Sequence, residues 1–276
     1  MNKFLTSILI ASFIIAACSS SKVKIAEIKI KGSDTMLPLI EKLAEKYMEG
    51  NPGISIFSSG GGSAKGIIAL LNNEIDICTS SRTLEPEETK LMAEKFGSVG
   101  FSTFIARDAV CIYVNKNNSV TNFSIPQLKD IFTGRIKNWI ELGGNSLLIS
   151  PVIRDWISGT AAHFKVRVLE GTDYDAGVIV KSTVEDLLEV IEDNENAIGF
   201  SGLGYQSDCV IASIEGFLPT AENIKRGSYP LSRYLYLYTI STPSGAVKDF
   251  IDWVLSPEGQ SIVKQSGFIS LFEISY

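Results

Sequence analysis

Apolar and polar residues alternate over residues 26–32 (AEIKIKG), with Ile28 and Ile30 on one face, and that period predicts a strand. Met36, Ile40, Leu43, Ala44 and Tyr47 then recur at helical spacing up to the turn EGNPG. Residues 54–63 (ISIFSSGGGS) read as a strand entering a glycine loop, 64–74 (AKGIIALLNNE) as a helix and 75–81 (IDICTSS) as a further strand. This βαβαβ rhythm predicts an α/β fold with a largely parallel sheet. Beyond it, 108–116 (DAVCIYVNK) is a nearly continuous apolar strand and 124–134 (SIPQLKDIFTG) a short capped helix. Residues 147–155 (LLISPVIRD) predict a strand, with a helix after Ser158-Gly159-Thr160. Residues 183–202 give helix, turn and strand, 229–241 (YPLSRYLYLYTIS) a long strand, and 245–267 one or two helices. The alternate spacing of Tyr234, Tyr236 and Tyr238 predicts a packed strand face rather than a platform for a sugar or base. Glu85, Glu87 and Glu88 around Pro86 read as a solvated helix start, where negative charge meets the helix dipole.

One arrangement occurs three times: strand, small polar turn, helix. The turns are Gly32-Ser33-Asp34-Thr35-Met36, Gly60-Gly61-Gly62-Ser63 and Ser158-Gly159-Thr160, the last with Arg154 four residues ahead of Ser158. In an open α/β sheet such turns lie at the carboxyl edge, where ligands bind. A helix N-terminus presents unpaired N–H groups and a partial positive charge, so each turn is a candidate anion cradle. Arg154 can add a bidentate pair of donors. The plainer role for each turn is helix capping. The glycine run matches neither a P-loop nor a dinucleotide fingerprint.

Composition sharpens this picture. The 276 residues are 45% hydrophobic and 20% charged, as in a globular chain of one large or two smaller domains. A net charge of −6 argues against a nucleic-acid partner and makes any anion site a local exception. Lys3 precedes an uncharged run over residues 4–17, too short to span a bilayer comfortably but suited to a signal-peptide core. Ile15-Ala16-Ala17-Cys18 resembles the lipobox of bacterial lipoproteins, which predicts a signal peptide over 1–17 and lipidation of Cys18. Residues 18–25 then form a tether, and the chain is held at a membrane of the cell envelope by its lipid. The other cysteines, Cys78, Cys111 and Cys209, are odd in number and lack paired spacing, and His163 is the sole histidine. Neither a disulfide framework nor a metal site is expected, and no cofactor.

Taken in order, GSDTMLPLIEKLAEKY, GGGSAKGIIAL, IDICTSSRTLEPEE, IFTGRIKNW, RDWISGT, NAIGFSGLGY, YPLSRYLYLYT and FIDWVLSPEGQSIVKQSGF resemble the phosphate-binding lipoproteins of bacterial high-affinity phosphate ABC importers. The resemblance implies a two-lobed periplasmic-binding-protein fold of type II, two mixed-sheet lobes joined by two crossing strands with the ligand in the cleft. Lobe one would comprise 26–107 plus 234–276 and lobe two 108–233, with 108–115 (DAVCIYVN) and 230–238 (PLSRYLYLY) as paired crossing segments. It implies phosphate contacts from Thr35 and Met36, chiefly by backbone N–H, and from Ser63, Ser81, Arg154, Ser158, Gly159 and Thr160. It also implies ABC-importer permease subunits as partners, and a monomer.

Two positions depart from the family pattern. Many members carry aspartate where this chain has Ser81; that carboxylate accepts a hydrogen bond from protonated phosphate and helps reject sulfate. We expect Asp34 to supply the acceptor here, its alternative roles being an N-cap or an ion-pair partner of Arg82. Ile157 replaces a small residue in the third turn. The leading function is therefore a non-enzymatic receptor for inorganic phosphate. A receptor for sulfate, molybdate or tungstate is the alternative, ahead of a hydrolase built on Ser158 and His163 or an adhesive lipoprotein.

Overall fold

The structure, a computed structural model, describes residues 25–205 and 207–272. The signal segment and Cys18 lie outside the described residues. The first part of the chain runs β1 (Ala26–Gly32), α1 (Leu37–Gly50), β2 (Ile54–Ser59), α2 (Ser63–Leu71), β3 (Ile77–Ser80), α3 (Pro86–Phe96) and β4 (Phe101–Ala109). Next come β5 (Cys111–Val114), β6 (Asn122–Phe123), α4 (Ile125–Phe132), β7 (Ser150–Arg154), α5 (Gly159–Arg167), β8 (Ile179–Lys181), α6 (Val184–Asp193), β9 (Ala197–Ser201), β10 (Val210–Ile214) and α7 (Ala221–Arg226). The chain closes with β11 (Ser232–Thr239), α8 (Gly245–Val254) and α9 (Pro257–Gln265).

Two mixed sheets result. The first has the order β2-β1-β3-β11-β4, the second β6-β10-β5-β9-β7-β8. β1, β2 and β3 are mutually parallel, as the βαβαβ rhythm predicts, while β11 runs antiparallel to β3 and β4. In the second sheet β7 is parallel to β8 and β9, and β5 is antiparallel to β9 and β10. The chain crosses between sheets at Val110 and returns at Leu231, and the Val110 N–H donates to the Leu231 carbonyl at 2.9 Å.

The expected crossing segments meet over part of their length: Asp108, Ala109 and Val110 pair with Arg233, Ser232 and Leu231. β11 then continues along β4 back to Phe101, whereas Cys111–Val114 pairs with β9 and β10 in lobe two. β4 carries no continuous apolar run because it is an edge strand: Phe101 and Phe104 are exposed, and Arg107 and Asp108 are charged.

Each lobe has its own apolar core. In lobe one Ile28, Ile30, Leu39, Ile40 and Leu43 pack beneath Phe250, with Tyr47 edge-on to that ring. In lobe two Phe164 stacks on Phe200 with ring centroids 3.9 Å apart, and Phe132 meets both edge-on. Local chemistry fixes the helix ends. Glu85 and Glu88 form a capping box ahead of α3, Ser124 and Gln127 another ahead of α4, and Gly97 ends α3 in the left-handed region. Cys78 and Cys111 are fully buried free thiols among these apolar groups.

Candidate anion-binding site

All three polar turns lie where the parallel strands end, and they meet between the lobes. The first follows β1. Gly32 has φ +151, and a Cβ there would stand 2.0 Å from the Thr79 carbonyl oxygen, so only glycine fits beside β3. The chain then enters a single 3-10 turn, Asp34–Met36, rather than α1 directly. The Met36 N–H closes that turn by donating to the Ser33 carbonyl at 3.1 Å, while the Met36 side chain is buried. Thr35 is also buried and faces lobe two, its Oγ1 3.1 Å from Oγ1 of Thr160.

Asp34 takes neither of its alternative roles. Its side chain caps no helix, and Arg82 is held by Glu88 through two hydrogen bonds of 2.8 and 2.6 Å. The Asp34 carboxylate instead links the first two turns to the end of β7. Oδ1 accepts from the Gly61 N–H at 2.6 Å, and Oδ2 accepts from Nη2 of Arg154 at 2.7 Å, an ion pair between the lobes. The Asp34 carbonyl accepts from the Tyr205 hydroxyl at 2.8 Å. Burial drives the Tyr205 phenol well above its ordinary value, so it stays a donor.

The second turn explains its own glycines. Gly62 has φ +96, and a Cβ on it would lie 2.5 Å from the carbonyl oxygen of Ile157 in the other lobe. That carbonyl accepts from the Ala64 N–H at 3.3 Å, so the bulk of Ile157 is accommodated by the bare Gly62 backbone. Ser63 is wholly buried and its Oγ accepts from the Ser81 N–H at 3.2 Å, with the two hydroxyl oxygens 3.5 Å apart. Ser81 is equally buried, at the end of β3.

In the third turn the plainer reading holds in part: Ser158 caps α5, its Oγ accepting from the Ala161 N–H at 3.3 Å. A hydroxyl that accepts from the backbone keeps its own proton to donate. Gly159 sits against the other lobe, where a Cβ would stand 2.2 Å from Oγ of Ser63 and 2.6 Å from Oγ of Ser81. Arg154 is 3% exposed, and its Nε is buried without a partner. The residues expected from the sequence thus converge, with Met36 contributing a backbone already turned onto Ser33.

Four further residues at this site escaped the sequence. Arg233 donates from Nε and Nη2 to one oxygen of Asp108, at 2.9 and 2.7 Å, and from Nη2 to Oγ1 of Thr160 at 3.0 Å. Asp108 is fully buried, and its second oxygen accepts from the Leu203 N–H at 2.9 Å. Gly202, at the end of β9, lies so near Thr35 that a Cβ would stand 2.5 Å from Cγ2. Tyr205 completes the set. A charge inside an otherwise apolar strand, as in SRYLYLY and ARDAVCIYV, was the available signal, because a buried charge requires a partner.

The chemistry of the assembly is that of a donor cage: hydroxyls, helix N-termini and guanidinium groups, with its two carboxylates already engaged by arginines. His163 supplies no base to Ser158. Its Nε2 is buried and accepts from no hydroxyl, and burial, followed by the charges of Arg233 and Arg167, lowers its pKa to about 3. Among the described residues no cluster of three or more His, Cys, Asp or Glu is placed to hold a metal ion, and no helix is long and apolar enough to cross a membrane.

A family model described as a PBP superfamily domain matches residues 19–258. The phosphate-binding protein PstS of Bacillus subtilis (strain 168) is 33% identical over 296 residues, covering 99% of this chain and 95% of that protein. Its counterpart in Borreliella burgdorferi is 30% identical over 258 residues, 88% of this chain and 90% of that one. Among solved structures, a phosphate ABC transporter substrate-binding protein from Clostridium perfringens with bound phosphate superposes with a TM-score of 0.82 at 31% identity, covering 89% of this chain and all of that one. An ABC-type phosphate transport receptor from Vibrio cholerae gives a TM-score of 0.75 at 29% identity, with 88% and 99% covered.

Proposed function

This chain belongs to the PBP superfamily, among its phosphate-binding proteins, and from that premise we propose that it captures inorganic phosphate between its lobes and delivers it to an ABC importer. The observation that carries the reading is the meeting of the three polar turns from both lobes around buried hydroxyls, with a guanidinium retaining a buried free donor.

In this reading Ser63, Ser81, Ser158 and Thr160 donate hydroxyl hydrogen bonds to phosphate, and Thr35 and Gly159 offer backbone N–H groups; the Met36 N–H, held by the Ser33 carbonyl, joins them by exchanging that bond for a phosphate oxygen. Arg154 adds charge-assisted donation. The hydroxyl pairs Thr35–Thr160 and Ser63–Ser81 exchange their mutual contacts for phosphate oxygens. Each Asp34 oxygen accepts one hydrogen bond and retains further lone-pair capacity, so Asp34 both aims Arg154 and accepts a hydrogen bond from the protonated phosphate oxygen in place of the family's aspartate. Because donors come from both lobes, affinity depends on closure. The reading includes no catalytic step. It places the chain as a monomer at a membrane of the cell envelope, tethered by lipid on Cys18, with permease subunits as its partners.

Calorimetric titration of the chain, unfolded and refolded to strip carried-over ligand, tests the reading. Phosphate should bind 1:1 without sulfate competition. Competition by sulfate would redirect the assignment to a broader oxyanion receptor, and silence toward phosphate from folded protein would refute it.

A further inference from the structure

Two buried arginines, not one, reach the polar turns, Arg154 through Asp34 and Arg233 through Thr160, and they are built alike. Arg154 gives Nη2 to Asp34 and keeps a buried Nε with no partner; Arg233 gives Nε and Nη2 to Asp108 and keeps a buried Nη1 with no partner. Among the described residues these are the two arginines with such a donor. We propose that Arg233 is a second guanidinium of the phosphate site and that Asp108 is its positioning residue. The inference rests on the phosphate-receptor reading above.

Three observations carry it. The pair is deeply buried, at 3% and 0% side-chain exposure, where an ion pair stabilises no better than apolar residues of the same volume. The neighbouring β11 positions Leu235 and Leu237 show that this strand accepts such residues. A strut serving only the fold would use all its donors, since a buried unpaired N–H carries a desolvation cost. Arg233 instead leaves Nη1 free while its Nη2 reaches Thr160 in the third turn. Arg233 also shares with Ser81 and His163 the wall of a cavity of about 510 Å³, so it faces the same space as the residue whose N–H donates to Ser63 of the second turn.

The charge arithmetic follows from the geometry. Without ligand each guanidinium is neutralised by one aspartate. Phosphate then enters a site with two guanidinium groups and a neutral serine at position 81. Such a site favours the doubly charged anion over the singly charged one.

The second guanidinium is tested by three chains titrated with inorganic phosphate across the pH range in which phosphate takes its second charge: wild type, R233K and the double variant D108N/R233Q. The double variant removes both charges together and leaves no buried ion unpaired, and thermal melts establish that it folds. It should lose about 30-fold or more in affinity and most of the preference for the dianion. R233K, which keeps the charge but not the fork, should lose less and retain the pH profile. A folded double variant with wild-type affinity and pH profile would overturn the inference and leave Arg233 an internal strut, with the receptor reading intact. Wild-type protein that ignores phosphate would overturn both.

Discussion

Gly159 of lobe two lies so close to Ser63 of lobe one that a single added methyl group would stand 2.2 Å from the serine oxygen. The contact exists only while the lobes are together, because the two residues are on different sheets' helices. G159A should therefore leave each lobe folded and obstruct closure. Overpacking of this kind costs about 1–3 kcal/mol, so phosphate affinity should fall about 5- to 140-fold. Calorimetry reads the affinity, and small-angle scattering at saturating phosphate should show a more open molecule than wild type. Unchanged affinity would mean that closure does not bring these residues together.

Asp34 joins Gly61 and Arg154 through its two oxygens. D34N keeps the shape but removes the charge that spans the lobes, and phosphate affinity should drop about 30-fold or more. If Asp34 is also the acceptor for the phosphate proton, sulfate should become a competitor of phosphate in the variant. Selectivity that survives D34N would assign the acceptor to another residue.

His163 introduces a pH dependence with a definite sign. Its pKa falls from 6.5 to about 3 in the folded chain, first through burial and then through Arg233 and Arg167. The unfolded chain takes up this proton near its ordinary pKa while the folded chain does not. The contribution of this group is complete above about pH 6.5 and is lost as pH falls toward 3. Urea midpoints should decline on acidification, and the decline should be shallower for H163Q. Parallel wild-type and variant curves would place the imidazole in water.

Glu88 serves the fold rather than the anion. It takes both nitrogens of the Arg82 fork and also accepts from the Glu85 N–H at 2.7 Å, closing the cap of α3. E88A should lower stability by about 1–3 kcal/mol in denaturant titrations and leave phosphate affinity within about twofold of wild type. A large affinity loss at full folding would connect α3 to the site.

Much of the site was legible because its residues sit in turns. Glycines and hydroxyl residues between a strand and a helix are a local signal, and Thr35, Ser63, Ser158 and Thr160 lie where that signal placed them. The strands β1 to β3 were legible for the same local reason. Asp108 and Arg233 were not, because their meaning comes from a pairing 125 residues apart that only the register of β4 and β11 establishes. β4 itself was hidden by its place at the sheet edge, which lets Phe101 and Phe104 face outward and erases the apolar run. The role of Asp34 was half visible: its position suggested the cleft, but its reach to Arg154 depends on how the lobes close.

The order β2-β1-β3-β11-β4 has a consequence for how the chain is made. β11 lies between β3 and β4, and among the described residues β4 pairs with no other strand of its sheet. During synthesis the first lobe therefore waits for residues 232–239, while every strand of the second sheet has already emerged. The first lobe's sheet stays open, with β3 and β4 as bare edges, until nearly the whole polypeptide exists. A ribosome that stops before β11 releases a molecule with one complete lobe and one incomplete one, a natural substrate for quality-control proteases.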